Sequence, residues 1–251
     1  MSKQRKTTRF AGISALFINC SIKKNKKESH TQLLMNKAAA IMTDEGVTVE
    51  KIYALDHTIA FGMVKDGKKE AGIKDDWPKL QKKIMAADIL VIGTPIWLGV
   101  KSSVATQVIE RMYAYSGDRN EMGQYLYYGK TGGCIITGNE DGIKHCAMDI
   151  LYALQHIGYT VPPQADAGWI GEAGPGPSYG DTEWQGKPIG DGKHPVGFDN
   201  EFTNRNTTFM AWNLMHLAKM FKKNKGISAI GNVVDNWRQV TNAENVNPEY
   251  R

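Results

Sequence analysis

Hydroxyls and cations crowd one short stretch of the chain. Ser21, Lys23, Ser29, His30 and Thr31 lie between an apolar run and the start of a helical pattern. Side-chain hydroxyls, backbone amides and the positive end of a helix dipole together suit a phosphate. The stretch is not a P-loop, because Gly-x-x-x-x-Gly-Lys is missing, and no Gly-x-Gly-x-x-Gly follows the apolar run. A phosphate monoester held by hydroxyls therefore fits better than a dinucleotide pyrophosphate. A helix capped by Ser29 or Thr31 after a polar loop is the competing reading. A second stretch, Pro95-Ile96-Trp97-Leu98-Gly99, offers a flat aromatic beside backbone amides, and simple packing of Trp97 in a loop competes with it. A third, Thr137-Gly138-Asn139-Glu140-Asp141-Gly142, is a turn that can aim several N–H groups at one point and stabilise negative charge. Its competitor is an ordinary strand-to-helix turn with Asp141 as the cap.

All three stretches follow apolar runs without alternation: Ser14–Asn19, Ile89–Gly93 and Gly132–Thr137. Such runs read as strands buried on both faces of a parallel sheet. Thr94-Pro95 predicts the end of the second, because proline cannot donate to a ladder. Val47–Tyr53 alternates and reads as an outer strand. Tyr159–Val161 is cut short by Pro162-Pro163, and Ala165–Gly168 resumes it. Helical stripes separate these runs: Leu34, Ala38, Ile41 and Met42 before Gly46; Asp76 with Pro78 leading to about Ala87; Val104, Val108, Ile109 and Met112 after Ser102-Ser103, running to about Tyr115. A fourth stripe, Ala147, Ile150, Leu151, Leu154 and Ile157, stops at Gly158, and the last helix spans Asn206–Asn224. This alternation predicts a doubly wound α/β fold, in which ligands bind at the carboxyl edge of the sheet.

The chain has 251 residues, 41% of them hydrophobic, and a net charge of +5. We expect a disordered basic tail over 1–12, a core over 13–168, a Gly- and Pro-rich arm or lid over 169–204, a last helix over 205–224 and a tail over 225–251. Residues 60–74 read as a surface excursion. Lys3, Arg5, Lys6, Arg9, Lys23, Lys24, Lys26 and Lys27 all precede the first acidic residue, Glu28. The second four fall in the first loop, where they attract a phosphorylated ligand. No run approaches the ~20 apolar residues of a membrane helix, and no apolar segment of a signal peptide follows the N-terminal cations. A cytoplasmic location without a membrane partner is expected. Nucleic acid is disfavoured because aromatic interleaving and a reading helix are missing. Cys20, Cys134 and Cys146 are too dispersed for a disulfide framework or a zinc site. His57, His156, His194 and His216 receive no role, Asp75-Asp76, Glu121 and Asp191 form no carboxylate pair, and no metal site is expected.

A phosphate pocket, a flat slot and an anion nest at one sheet edge fit flavin mononucleotide (FMN). The motifs agree. Thr94-Pro95-Ile96-Trp97-Leu98-Gly99 with Ser102-Ser103, Ser21 with Ser29-His30-Thr31, and Thr137 to Gly142 together resemble the NADPH-dependent FMN reductase family of the flavodoxin-like superfamily, over about residues 14–170. Asn19-Cys20 stands where glycine is common, and Lys23 where arginine is common. The resemblance implies a five-stranded sheet of order 2-1-3-4-5, bound FMN, NADPH or NADH as co-substrate, and a homo-oligomer, dimer or tetramer, that shares its flavin sites. It also implies hydride transfer to flavin N5 and onward to a small-molecule acceptor such as a quinone, flavin or azo compound. No catalytic side chain is required, because the flavin carries the chemistry. The Gly-Asn-Glu-Asp-Gly turn with His145, and the stretch from Pro162-Pro163 to Tyr179, are similar to the aminoflavin synthases of roseoflavin formation, which treat FMN as substrate. On that alternative His145, Lys130 or Glu140 gain acid–base roles. The Trp-Leu-Gly of the central loop favours the reductase. A flavodoxin-type electron carrier is a third alternative, disfavoured by the length and basic charge.

Overall fold

The computed structural model describes residues 8–23, 25–139, 141–169 and 176–236. The expectations for Lys3, Arg5, Lys6, Lys24, Glu140, Gly171, Gly174, Pro175 and residues 237–251 lie outside them.

Five parallel strands form the central sheet: β1 (Ser14–Asn19), β2 (Thr48–Tyr53), β3 (Ile89–Trp97), β4 (Thr131–Thr137) and β5 (Asp166–Gly168). Their order is 2-1-3-4-5. The helices are α1 (His30–Asp44), α2 (Gly67–Ala71), α3 (Trp77–Ala86), α4 (Ser103–Tyr113), α5 (Ile143–Ile157) and α6 (Glu201–Asn224). Alternate strand residues feed opposite faces. Phe17, Val91, Ile135 and Ala167 pack with α1 and α6. Leu16, Ile18, Leu90, Ile92, Cys134 and Ile136 pack with α3, α4 and α5.

The register brings the carboxyl ends of the strands to one level. Asn19 lies opposite both Tyr53 and Gly93, and Pro95 lies opposite Thr137. Contrary to expectation, β3 does not stop at Thr94-Pro95. Side-to-side alternation turns the proline nitrogen the same way as Gly93, toward β1, which ends at Asn19. No ladder partner is lost there, so the strand continues to Trp97 and folds back as a hairpin, with Ile96 and Trp97 opposite Lys101 and Val100.

Other expectations need revision. Residues 8–12 are ordered, because Phe10 is buried against Trp212 and His216 and its amide donates to the Glu45 carbonyl at 3.0 Å. The excursion over 60–74 contains α2, capped by Asp66. α6 begins at Glu201 rather than at 205 or 206, with Asn200 as its cap. Its first turns are buried through threonines, which an apolar stripe does not reveal: Thr203 donates to the Gly168 carbonyl at 3.1 Å and Thr207 to the Thr203 carbonyl at 2.7 Å. In the C-terminal segment, residues 227–232 are fixed by the buried Gln124 amide, which donates to the carbonyls of Ile227 and Ser228 and to Asn232 Oδ1.

Candidate flavin site

The three predicted loops meet at the carboxyl edge, and side chains join each to the next. In the first loop, Ser21 Oγ and Ser29 Oγ lie 2.7 Å apart and both are buried. Ser29 caps α1 by accepting from Gln32 N at 3.2 Å. Thr31 therefore is not the cap; its Oγ1 lies 2.7 Å from Thr137 Oγ1 and ties the first loop to the third. No acidic residue occupies the first turn of α1, so the positive helix end faces the hydroxyl cluster without internal neutralisation. Lys23 is exposed beside it.

The second loop is tied to the first from beneath. Ser102 caps α4 and donates to the Cys20 carbonyl at 2.9 Å, and Thr94 Oγ1 lies 3.3 Å from Ser102 Oγ. Leu98 takes a left-handed conformation, φ 52°, which throws its side chain into solvent at 92% exposure. Trp97 is half-exposed beside it. The second and third loops touch at backbone level. A Cβ on Gly142 would sit 2.6 Å from the Gly99 carbonyl oxygen, and Gly142 has φ +124°. Only glycine permits both the conformation and the approach. Gly142, not Asp141, is the capping residue of α5, and Asp141 Oδ1 instead accepts from Gly142 N at 2.7 Å. Pro95, Gly138 and Asn139 are half-buried beside them, whereas Ile96, expected at the slot, is buried in the core and packs beneath Gly138 because the continued strand turns its side chain inward.

A fourth element closes the ring. Within residues 176–200, Tyr179, Val196 and Phe198 pack against the α1 and α6 face of the sheet. Ser178 Oγ donates to the Gly138 carbonyl at 3.4 Å, and Asp181 faces His30 at 3.5 Å. Tyr179 is buried between Trp169 and Phe198.

Burial lowers the His30 pKa, with Asp181 opposing and Lys23 reinforcing that shift. Burial also pushes the Cys20 thiol far above its ordinary range and Cys146 up to about 11, so neither is a nucleophile at neutral pH. Lys130 is excluded from the site. Its Nζ donates to the carbonyls of Met85 and Ala87, at the opposite end of the sheet. His145 is at the site, but its Nδ1 is 3.1 Å from the Gly99 carbonyl, where it steadies the second loop.

Sequence reasoning assigned no role to Asn19, which organises the first loop. It is fully buried, accepts from Ser21 N at 2.9 Å, and donates to Gln32 Oε1 at 3.0 Å and Ser29 Oγ at 3.3 Å. Tyr53, whose hydroxyl donates to the Lys23 carbonyl, closes the loop from β2. Asn19→Ala strips these partners and should cost about 1–3 kcal/mol of stability. Chemical denaturation checks that cost, and a flavin titration should show weakened FMN binding in the same variant.

A doubly wound sheet with three loops at its carboxyl edge defines a flavodoxin-like flavin domain, and the residues present fit FMN: hydroxyls at a helix start for the phosphate, Trp97 for the ring and a glycine-bearing turn for its polar end. The chain belongs to the NADPH-dependent FMN reductase family, which matches residues 13–171. It is 35% identical over 217 residues to 8-demethyl-8-aminoriboflavin-5'-phosphate synthase of Streptomyces davaonensis, covering 84% of this chain and 79% of that protein. The structure of RosB with a bound intermediate, 8-demethyl-8-formylriboflavin-5'-phosphate, superposes with a TM-score of 0.77 at 32% identity, covering 94% of this chain and 92% of that one. A flavone reductase shares the fold alone, with a TM-score of 0.53 at 13% identity, over 85% of this chain and 64% of that one. The chain is also 55% identical over 214 residues to part of the divalent metal cation transporter MntH of Mycobacterium bovis; the match takes in 85% of this chain but only 30% of that protein's length. No helix among the described residues is long and apolar enough to cross a membrane.

Proposed function

We propose that this chain is an FMN-dependent NAD(P)H oxidoreductase that passes reducing equivalents to a small-molecule acceptor such as a quinone, flavin or azo compound. The observation that carries this reading is the closed ring of loops joined by Thr31–Thr137, Ser102–Cys20 and Gly99–Gly142, around the Ser21–Ser29 hydroxyl pair of the first loop. FMN, when bound, supplies the hydride-accepting N5 and the redox chemistry. The chain's own residues bind and orient. Ser21, Ser29, Thr31, the amides at the start of α1 and Lys23 hold the phosphate. Lys23 supplies charge without the bidentate fork of an arginine. Trp97 bounds the ring slot. Amides of Gly138, Asn139 and Asp141 would serve the pyrimidine end and stabilise the negative charge that grows there on reduction, the Gly142 amide being held by Asp141 Oδ1. The exposed Tyr113 of α4 and Met148 and Tyr152 of α5, on one side of the sheet, support a homo-oligomer, which sedimentation would check.

A second reading, in which FMN is the substrate, draws support from the likeness to RosB, which covers 94% of this chain. One experiment separates the two. Under anaerobic NADPH, then NADH, the FMN-loaded protein should lose its flavin band near about 450 nm, and the released flavin should have the mass of FMN. Persistence of that band with both nucleotides defeats the reductase reading, and an altered mass after incubation with an amino donor establishes the second.

A further inference from the structure

The arm reaches the phosphate pocket through a histidine–carboxylate pair. His30 is the first residue of α1, next to the cap Ser29. Its Nε2 is 3.5 Å from Asp181 Oδ1, with both side chains about a quarter to a third exposed, at 26% and 30%. Asp181 does not swing freely, because its Oδ2 accepts from Ser178 N at 2.7 Å and its backbone carbonyl accepts from Val196 N at 2.9 Å. The arm also presses on the ring itself. A Cβ on Gly180 would sit 2.5 Å from His30 Cδ2 and 2.8 Å from Nε2. The contact is therefore built for a glycine facing an imidazole. Ser178, three residues before Asp181, meanwhile reaches the Gly138 carbonyl of the third loop.

We propose that Asp181 is a positioning residue for the phosphate pocket: it orients His30 and supports the imidazolium when a phosphate monoester is seated, so that closure of the arm and binding of the phosphate reinforce each other. The inference rests on the flavin reading above. Asp181 engages Nε2 and leaves Nδ1 as the nitrogen able to serve the phosphate. The charged groups that face His30 among the described residues are Asp181 from the arm and Lys23 from the first loop. In the free chain, burial and Lys23 lower the His30 pKa against the pull of Asp181. A phosphate dianion adds a second negative neighbour, which favours the charged form. The ring then takes one proton from solvent, and no other bond changes. Asp181 does not touch the phosphate in this account. It acts through His30.

The test is binding, not turnover. FMN and riboflavin are titrated by calorimetry into the apo full chain at pH 7, in two buffers of different ionisation enthalpy, for wild type, Asp181→Asn, Asp181→Glu and His30→Gln. The titration of the phosphate itself, near pH ~6, is common to all four and cancels in the comparison. Wild type should bind FMN with a larger proton uptake than Asp181→Asn or His30→Gln. Both variants should bind FMN about tenfold more weakly, the scale of a lost charge-assisted hydrogen bond. Riboflavin affinity should be unchanged in each, and Asp181→Glu should restore part of the proton uptake. His30→Gln keeps the test open if Asp181→Asn fails to fold. Equal FMN affinity and equal proton uptake in wild type, Asp181→Asn and His30→Gln would overturn the proposal while leaving the flavin reading intact. Wild type that binds FMN no more tightly than riboflavin would remove the flavin reading and this inference with it.

Discussion

Asp75→Asn should lower the free energy of unfolding by about 3–5 kcal/mol, the cost of leaving a buried charge without its partner. The partner is Arg111, on α4. Both side chains are fully buried, with Nη2 to Oδ2 at 2.6 Å. Arg111 also donates through Nη1 to the Ala60 carbonyl at 2.9 Å and lies over the Trp77 ring at 5.4 Å. Asp75 in turn accepts from the amides of Gly67, Trp77 and Ala60. One carboxylate thus holds the excursion over 60–74, the start of α3 and the back of α4, the helix that follows the second flavin loop. Burial alone would raise the Asp75 pKa, but the Arg111 hydrogen bond and those three amides outweigh it and leave the pKa below its ordinary value. The folded-state pKa is depressed, so the stabilisation is fully present above the unfolded value of about 3.9 and is lost as pH falls through the folded value. Urea unfolding followed from pH 7 downward should show this acid loss in wild type and a flatter profile in Asp75→Asn.

Gly142→Val should slow reduction of bound FMN by NADPH about a hundredfold, because displacements near 1 Å at a reaction site carry losses of that order. The added Cβ would meet the Gly99 carbonyl oxygen at 2.6 Å and the Gly99 Cα at 2.8 Å, both backbone atoms that cannot swing aside. The φ of +124° adds strain of about 1–3 kcal/mol for a branched residue. The two loops must part, which moves the ring slot away from the amide turn. Anaerobic stopped-flow absorbance reads the rate, and a denaturation curve reads the strain. A variant with wild-type reduction kinetics would show that the contact between these loops does not set the geometry of the slot.

Most of the sheet was legible because buried parallel strands announce themselves as unbroken apolar runs. The candidate site residues were legible because hydroxyls, a Trp and glycines recur at the ends of those runs. What was missed has physical causes. Pro95 reads as a strand stop, yet its nitrogen faces the side where β1 has already ended. The start of α6 is buried through Thr203 and Thr207, polar residues satisfied by carbonyls. Phe10 is a single apolar residue in a basic segment, and only its partners on α6 show that it is core. Asn19 looked like the end of a strand, because its role lies in bonds to Ser21, Ser29 and Gln32, brought together by the turn into α1. The pairing of Asp181 with His30 joins residues far apart in sequence, and no local pattern encodes it.

The central claim is that the three loops form one FMN pocket, and a crystal structure of the chain grown with FMN tests it most directly. The account predicts the phosphate among Ser21, Ser29 and Thr31 at the start of α1, the ring against Trp97, and its pyrimidine end at the turn from Gly138 to Gly142. FMN bound elsewhere, or seated with its phosphate away from the start of α1, would contradict it.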